Sequence, residues 1–118
     1  MEYRRLGKSG LQVSLLSFGS WVSFSKQIND KVADELMGLA YDNGINFFDN
    51  AEVYALGESE KMMGRVIKKK KWDRTSYLVS SKAFWGWRGK DNKPNQTGCS
   101  RKHLVEACNE ALQRLQVD

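Results

Sequence analysis

The stretch INFFDNAEVYALGESEKMMGRVIKKK, residues 45–70, combines two structural periods within 26 positions. Its first part, INFFD (45–49), is a short apolar run and predicts a buried β-strand. Its last part, residues 57–70, has glutamates early, lysines late and an apolar face formed by Met63, Val66 and Ile67, which predicts an amphipathic helix. A strand followed directly by a helix is the repeating unit of parallel sheets with crossover helices.

The residues before this stretch predict a hairpin and then another strand–helix unit. Residues 3–19 alternate apolar and polar side chains around a Lys-Ser-Gly turn at 8–10, and the apolar run 15–18 ends at Gly19. We expect a helix to begin at Asp30 as the cap and to end at a left-handed Gly44. Its apolar face is expected to consist of Val32, Leu36, Leu39 and Ala40.

The residues after this stretch predict a third unit. YLVSSKAF (77–84) is typical of a strand, and residues 85–98 have the composition of a loop. Ser100 is expected to cap a last helix, in which Cys108 is a buried free thiol. The apolar stripe of this helix comprises Leu104, Ala107, Cys108, Ala111, Leu112 and Leu115.

The element order is therefore a hairpin followed by three strand–helix units, an α/β pattern. It fits two architectures, an open doubly wound sheet and a (β/α) barrel. A closed eight-unit barrel takes about 250 residues. The 118 residues are expected to form the N-terminal part of such a domain, an incomplete barrel.

Composition narrows the functional classes. The net charge is +5, and its densest run, Lys68–Lys71, falls at a helix C-terminus, where cations complement the helix dipole, so no nucleic-acid partner is expected. No signal peptide and no apolar run of roughly 18 residues is present, which predicts a cytoplasmic protein without membrane insertion. Cys99 and Cys108 lack metal-ligand spacing, and no metal is expected.

Phosphate-binding motifs are absent. Residues 7–9, Gly-Lys-Ser, resemble the end of a P-loop, but Glu2 stands where its first glycine would be needed. No GxGxxG motif follows any predicted strand. Rossmann and P-loop nucleotide sites are therefore disfavoured.

Polar residues at strand ends are the better candidates. Asp49 closes the second parallel strand, Lys82 lies near the end of the third, and Ser20 and Trp21 follow the first, so all share one face in a parallel barrel. Tyr54 can fold back over that face. A phenol with a pKa near 10 is a poor acid at neutral pH, but a buried ammonium paired with a carboxylate lowers a phenol's pKa. Asp–Lys–Tyr is then a proton-donating relay.

The same three residues also allow a plain structural interpretation. Asp49 would cap a turn, Lys82 would extend into solvent and Tyr54 would pack. Spacing alone leaves both interpretations open.

Longer blocks carry a family resemblance. GKSGLQVSLLSFGSW (7–21), AYDNGINFFDNAEVYALGESE (40–60), VSSKAFWG (79–86) and SRKHLVEACNEALQRLQVD (100–118) resemble the N-terminal part of the aldo-keto reductase superfamily. They look most like the branch that contains the β-subunits of voltage-gated potassium channels. The resemblance implies a (β/α)8 TIM barrel plugged by an N-terminal hairpin, with residues 1–118 forming that hairpin and the first three βα units.

The resemblance also implies an activity, the reduction of aldehydes or ketones by NADPH. Its catalytic tetrad of Asp, Tyr, Lys and His maps onto Asp49, Tyr54 and Lys82, with the histidine expected beyond Asp118. His103 is expected to be solvated and not to replace it. The 118 residues alone are therefore expected to be inactive.

Cofactor and partner expectations follow from the same resemblance. It implies that Ser20, Trp21, Gln27 and Asp49 surround the nicotinamide half of NADPH/NADP. Partners would be a small carbonyl substrate, and a second copy of the chain or a channel. The alternative function is an NADPH-binding regulatory β-subunit of a potassium channel with little turnover. The loop at 86–98 is longer and more polar than in those subunits.

Overall fold

The computed structural model describes all residues, Met1–Asp118, and has a mixed α/β architecture. Five strands and three α-helices alternate in the predicted order. None of the helices is long and apolar enough to cross a membrane. In chain order the elements are β1 (Tyr3–Arg5), β2 (Gln12–Ser14), β3 (Phe18–Gly19), α1 (Asp30–Asp42), β4 (Phe47–Asp49), α2 (Glu58–Lys70), β5 (Leu78–Ser80) and α3 (Arg101–Leu115).

The predicted N-terminal hairpin is confirmed, and it packs against the chain that leads into β4. Strands β1 and β2 are antiparallel, with Tyr3 opposite Ser14. The Asn46 side chain accepts from Ser14 N at 2.8 Å and donates to Gln12 O at 3.0 Å. The Tyr3 hydroxyl donates to Gly44 O at 2.8 Å. The hairpin therefore covers the amino end of β4.

The three-stranded sheet is parallel, in the order β3-β4-β5, as predicted. Gly19 pairs with Asp49 and Asp49 with Ser80, so the last residues of all three strands are in register. Strand β3 is shorter than predicted, because Leu15 and Leu16 lie outside it and are 50% and 62% exposed. The register gathers the carboxyl ends of the strands at one edge.

Helix α1 forms where predicted, but its cap differs. Asn29 is the N-cap, and its side chain accepts from Val32 N at 3.0 Å. Asp30 is the first helical residue and pairs with Arg65 on α2 instead. That hydrogen-bonded pairing lowers the pKa of Asp30. Gly44 adopts the predicted left-handed conformation just beyond the helix.

The buried face of α1 is not the predicted one. Leu36 and Leu39 are 41% and 63% exposed, whereas Ala33, Met37 and Gly38 are buried. The buried stripe follows the same helical spacing one position further along, which rotates it by about 100° around the helix. The small residues of this stripe face the neighbouring elements and allow their close approach.

Helix α2 lies at the centre of the molecule, as its predicted apolar face requires. Met63, Val66 and Ile67 are buried in the core cluster. At Gly64 a Cβ atom would lie 2.4 Å from Arg114 O, so only glycine permits the observed contact between α2 and α3. At its C-terminus, Lys69 of the lysine run reaches Asp34 on α1 at 3.1 Å.

Helix α3 is capped by Ser100 as predicted, but two of its side chains differ from expectation. His103, expected in solvent, is 5% exposed, because it faces a carboxylate from a distant loop. Cys108, expected to be buried, is exposed. It lines an open groove of about 220 Å³ between α3 and β5, together with Leu104 and Leu112.

Candidate active site

The candidate site lies at the carboxyl edge of the parallel sheet. Asp49 is the last residue of β4, and Lys82 follows the end of β5 by two positions. Tyr54 begins a short 3₁₀ turn that precedes α2. Three separate segments thus bring a carboxylate, an ammonium and a phenol to one edge, as expected from the positions of Asp49 and Lys82 at strand ends.

The ammonium of Lys82 is the centre of the arrangement. Its Nζ lies 2.8 and 2.7 Å from the two carboxylate oxygens of Asp49 and 2.8 Å from Asn50 O. The same Nζ is 3.5 Å from the hydroxyl oxygen of Tyr54 and 5.2 Å from the centre of its ring. The contacts to Asp49 and Asn50 are strong charged hydrogen bonds, whereas the 3.5 Å contact to the Tyr54 hydroxyl is at the long limit of a hydrogen bond.

Neighbouring hydroxyls hold the aspartate. Ser80 Oγ donates to Asp49 Oδ1 at 2.5 Å, and Ser20 Oγ donates to Asp49 O at 2.9 Å. Ser80 is paired with Asp49 across the sheet, so the strand register itself places the Ser80 hydroxyl beside the carboxylate. The carboxylate is therefore fixed in orientation before any ligand arrives.

The ion pair is half-exposed, whereas the relay argument assumed a buried ammonium. The side chain of Lys82 is 52% exposed and that of Asp49 31%. Water screens charges at such a surface, and a ligand that covers the edge would strengthen their mutual attraction.

The turn after Tyr54 has an unusual backbone. Ala55, Leu56 and Gly57 have φ angles of 49°, 54° and 83°, all in the left-handed region. That region is unfavourable for Ala and Leu, which have a Cβ atom. The turn reverses the chain between Tyr54 and α2 and so keeps the phenol beside the strand ends.

The residues predicted to surround a nicotinamide differ in placement. The indole of Trp21 is 66% exposed and stacks on Tyr54, with ring centroids 6.2 Å apart. Ser20 is fully buried, and its hydroxyl is occupied by Asp49 O. Gln27 is exposed, its backbone N donates to Ser23 O, and its side chain has no hydrogen bond to the other site residues. The structure thus brings Ser20 and Trp21 to the site and leaves Gln27 apart.

Two side chains of this region escaped the sequence analysis. Glu52 lies between Asp49 and Tyr54, is 1% exposed, and faces His103 of α3. Its partners are up to 51 positions away, so no local pattern could have indicated its burial. The contact between Ser80 and Asp49 could have been predicted, because pairing of the two parallel strands places these residues side by side.

The arrangement can donate a proton and stabilise the anion left behind. An ammonium near a phenol favours the phenolate, and a carboxylate fixes that ammonium in place. Tyr54, Lys82 and Asp49 have the required chemical types and the required order of contacts.

Comparison with protein families identifies the family of the chain. The model of the aldo/keto reductase family matches residues 15–118, all of the chain except the part that contains the hairpin. The family consists of oxidoreductases that generally use NAD(P)H. The predicted superfamily resemblance is thereby confirmed, and the chain belongs to the aldo/keto reductase family.

Proposed function

We propose that the protein reduces aldehydes or ketones to alcohols with NADPH, and that Tyr54 is its proton donor. The observation that carries this proposal is the position of Lys82 Nζ, which contacts both oxygens of Asp49 and reaches the Tyr54 hydroxyl. A structural salt bridge would not need a phenol on its open side.

The residues present fit a nicotinamide cofactor. The exposed, flat face of Trp21 beside Tyr54 offers a stacking surface for a planar ring. The open edge at Lys82 leaves room for a carbonyl oxygen within reach of the phenol. When bound, the cofactor supplies a hydride to the carbonyl carbon. The preference for NADPH over NADH rests on the family resemblance.

The residues of the chain then handle the proton. As the carbonyl oxygen gains negative charge, the Tyr54 hydroxyl donates its proton to that oxygen and the alcohol forms. The phenolate that remains is stabilised by Lys82 at 3.5 Å. Asp49 holds Lys82 in position through its two short contacts. Ser80 and Ser20 hold Asp49 in turn.

The proposal includes the architecture implied by the resemblance. Residues 1–118 would be the plug hairpin and the first three units of a (β/α)8 barrel. The parallel order β3-β4-β5, the hairpin at the amino end of β4 and the polar side chains at the carboxyl ends support it. A histidine on the next strand would complete the tetrad.

Tyr54→Phe in the full-length gene product tests the function. This substitution keeps the ring that stacks on Trp21 and removes only the proton donor. General acid catalysis contributes about 10²–10⁴-fold, so kcat should fall by at least about 100-fold, while the Kd for NADPH stays within about threefold. Stopped-flow absorbance at the NADPH band measures kcat, and fluorescence titration measures the Kd for NADPH.

Tyr41→Phe is the matched control. Its hydroxyl bonds to Ser76, away from the site, and its removal should leave kcat unchanged. Undiminished turnover by Tyr54→Phe would refute the proton-donor role. Tight NADPH binding by the unmodified protein without measurable turnover of any carbonyl would favour the channel β-subunit alternative instead.

A further inference from the structure

Glu52 bonds to Lys82 and to the chain that follows Lys82. Its backbone N donates to Lys82 O at 3.2 Å. Its side-chain Oε1 accepts from Phe84 N at 2.8 Å and from Gly86 N at 2.7 Å. A single residue of the loop that carries Tyr54 therefore fixes the path of the segment that carries Lys82.

The carboxylate of Glu52 is buried, and one of its two oxygens is unpaired. It is 1% exposed, and its Oε2 has no hydrogen-bond partner. His103 Nε2, itself buried, lies 3.3 Å from Oε1 and acts as a third donor in its Nε2–H tautomer. A buried charged group is a poor way to gain stability compared with an apolar side chain of similar volume. The bonds by which Glu52 positions the Lys82 segment explain the presence of a buried glutamate better than a gain in stability does.

The segment that Glu52 holds continues into two exposed aromatic residues. Phe84 and Trp85 are 46% and 66% exposed, and their rings meet edge to face at 4.9 Å. They follow Lys82 by two and three positions, in the chain that leaves the carboxyl end of β5.

A second anchor lies immediately beyond this aromatic pair. Trp87 Nε1 and Arg88 Nη2 both donate to Glu110 on α3. Burial raises the pKa of Glu110, but these hydrogen bonds outweigh burial, and the net pKa lies below the ordinary value of 4.5. Trp85 is thus held between the two backbone bonds to Glu52, at Phe84 and at Gly86, and the Glu110 anchor follows directly.

We propose that Glu52 is a positioning residue, whose carboxylate holds Lys82 and the Phe84–Trp85 pair in register with Tyr54. The aromatic pair then forms a wall against which carbonyl compounds with an aromatic ring are held. This proposal rests on the proposed carbonyl reduction. It assigns to Glu52 no contact with the substrate.

Glu52→Ala and Glu52→Gln in the full-length gene product separate positioning from charge. Alanine removes the acceptor of both backbone bonds. Glutamine keeps one oxygen for Phe84 N and Gly86 N, and places its amide where Oε2 has no partner. Glu35→Ala is the matched control, because Glu35 is exposed on α1 and forms no ion pair.

The first measurement is independent of activity. Trypsin can cut after Arg88 and after Lys90, within the anchored loop. Glu52→Ala should raise the cleavage rate about tenfold, which corresponds to about 1.4 kcal/mol, whereas Glu52→Gln and Glu35→Ala should stay within about twofold of the unmodified protein. An unchanged rate in Glu52→Ala would overturn the tether.

The second measurement compares two substrates. For Glu52→Ala, the KM for 4-nitrobenzaldehyde should rise about tenfold, whereas the KM for propionaldehyde should rise less than about threefold. For Glu52→Gln, both KM values should equal those of the unmodified protein. A purely structural role would lower kcat for both substrates through the folded fraction and leave each KM unchanged. That result would refute the positioning role.

Two further outcomes are distinguishable. If the unmodified protein reduces neither aldehyde, the proposed function is wrong, and the trypsin result still decides whether Glu52 tethers the loop. If Glu52→Ala does not fold, amide exchange in the unmodified protein serves instead. Slow exchange at Phe84 and Gly86 relative to Lys90 supports the tether, and fast exchange at both overturns it.

Discussion

Ala55 holds a backbone conformation that its own side chain disfavours. Its φ of 49° directly follows Tyr54 and leads into Leu56, whose φ is 54°. Left-handed backbone costs an L-residue roughly 1–2 kcal/mol, part of which glycine recovers. The turn is therefore kept by its surroundings and not by local preference.

Ala55→Gly should raise the free energy of unfolding by about 0.5 kcal/mol, because relief of the left-handed strain exceeds the added freedom of the unfolded chain. Ala40→Gly, in the interior of α1, should lower it by about 1 kcal/mol. Urea denaturation measures both. Equal losses in the two variants would show that position 55 is not strained.

At this scale, the sequence predicted the residues that lie at strand ends and missed those that are defined by distant contacts. Asp49 and Lys82 could be found because parallel strands place their ends together. The burial of His103 and Glu52 depends on a pairing across 51 positions, which no local period encodes. Their long-range geometry had to be observed.

Helices α2 and α3 are joined by a buried ion pair. Arg114 Nε donates to Glu60 Oε2, and Ser81 Oγ donates to Glu60 Oε1 at 2.6 Å. The side chains of Glu60 and Arg114 are 0% and 7% exposed. The pair connects the start of α2, the end of β5 and the last turn of α3.

Glu60→Ala should destabilise the fold by about 3–5 kcal/mol, because Arg114 is left buried without its main partner. Glu58→Ala removes a surface pair with Lys61 in the same turn and should cost less than about 1 kcal/mol. Thermal unfolding of both variants makes the comparison. A similar small shift in each would mean that the buried pair contributes no more than an exposed one.

Helix positions and types were predictable from periodicity, but the buried face of α1 was not. Two apolar stripes overlap in this helix, one through Leu36 and one through Ala33 and Met37. Hydrophobicity favours the stripe with the leucines, whereas close packing favours the one with Ala33 and Gly38. Packing determined the outcome.

The whole molecule is a flattened slab of 43 × 36 × 22 Å with a radius of gyration of 14.5 Å. A compact chain of this length would have a radius near 13.5 Å, by the usual scaling of about 2.2·N^0.38. β5 pairs only with β4, and the groove beside it is lined by apolar side chains of α3. An unpaired strand edge next to an apolar groove favours association with further β-structure.

A polypeptide limited to residues 1–118 should therefore associate. Because the proposed barrel would be incomplete in it, this polypeptide should also bind NADPH weakly. Sedimentation velocity measures association, and Leu104→Glu in the groove should reduce it, whereas Leu39→Glu on α1 should not. Titration of NADPH against the fluorescence of the four tryptophans measures binding. Saturation of a monomer at micromolar NADPH would contradict this expectation.

The hairpin gives the molecule a natural point of attachment. Its hydrogen bonds to Gly44 and Asn46 hold it at the amino end of β4, whereas Lys82 and Tyr54 lie at the carboxyl edge of the sheet. The turn at Lys8 and Ser9 is exposed. A fluorophore or a solid support coupled at this turn would leave the candidate active site facing the solution, so the protein can be immobilised or labelled without obstructing it.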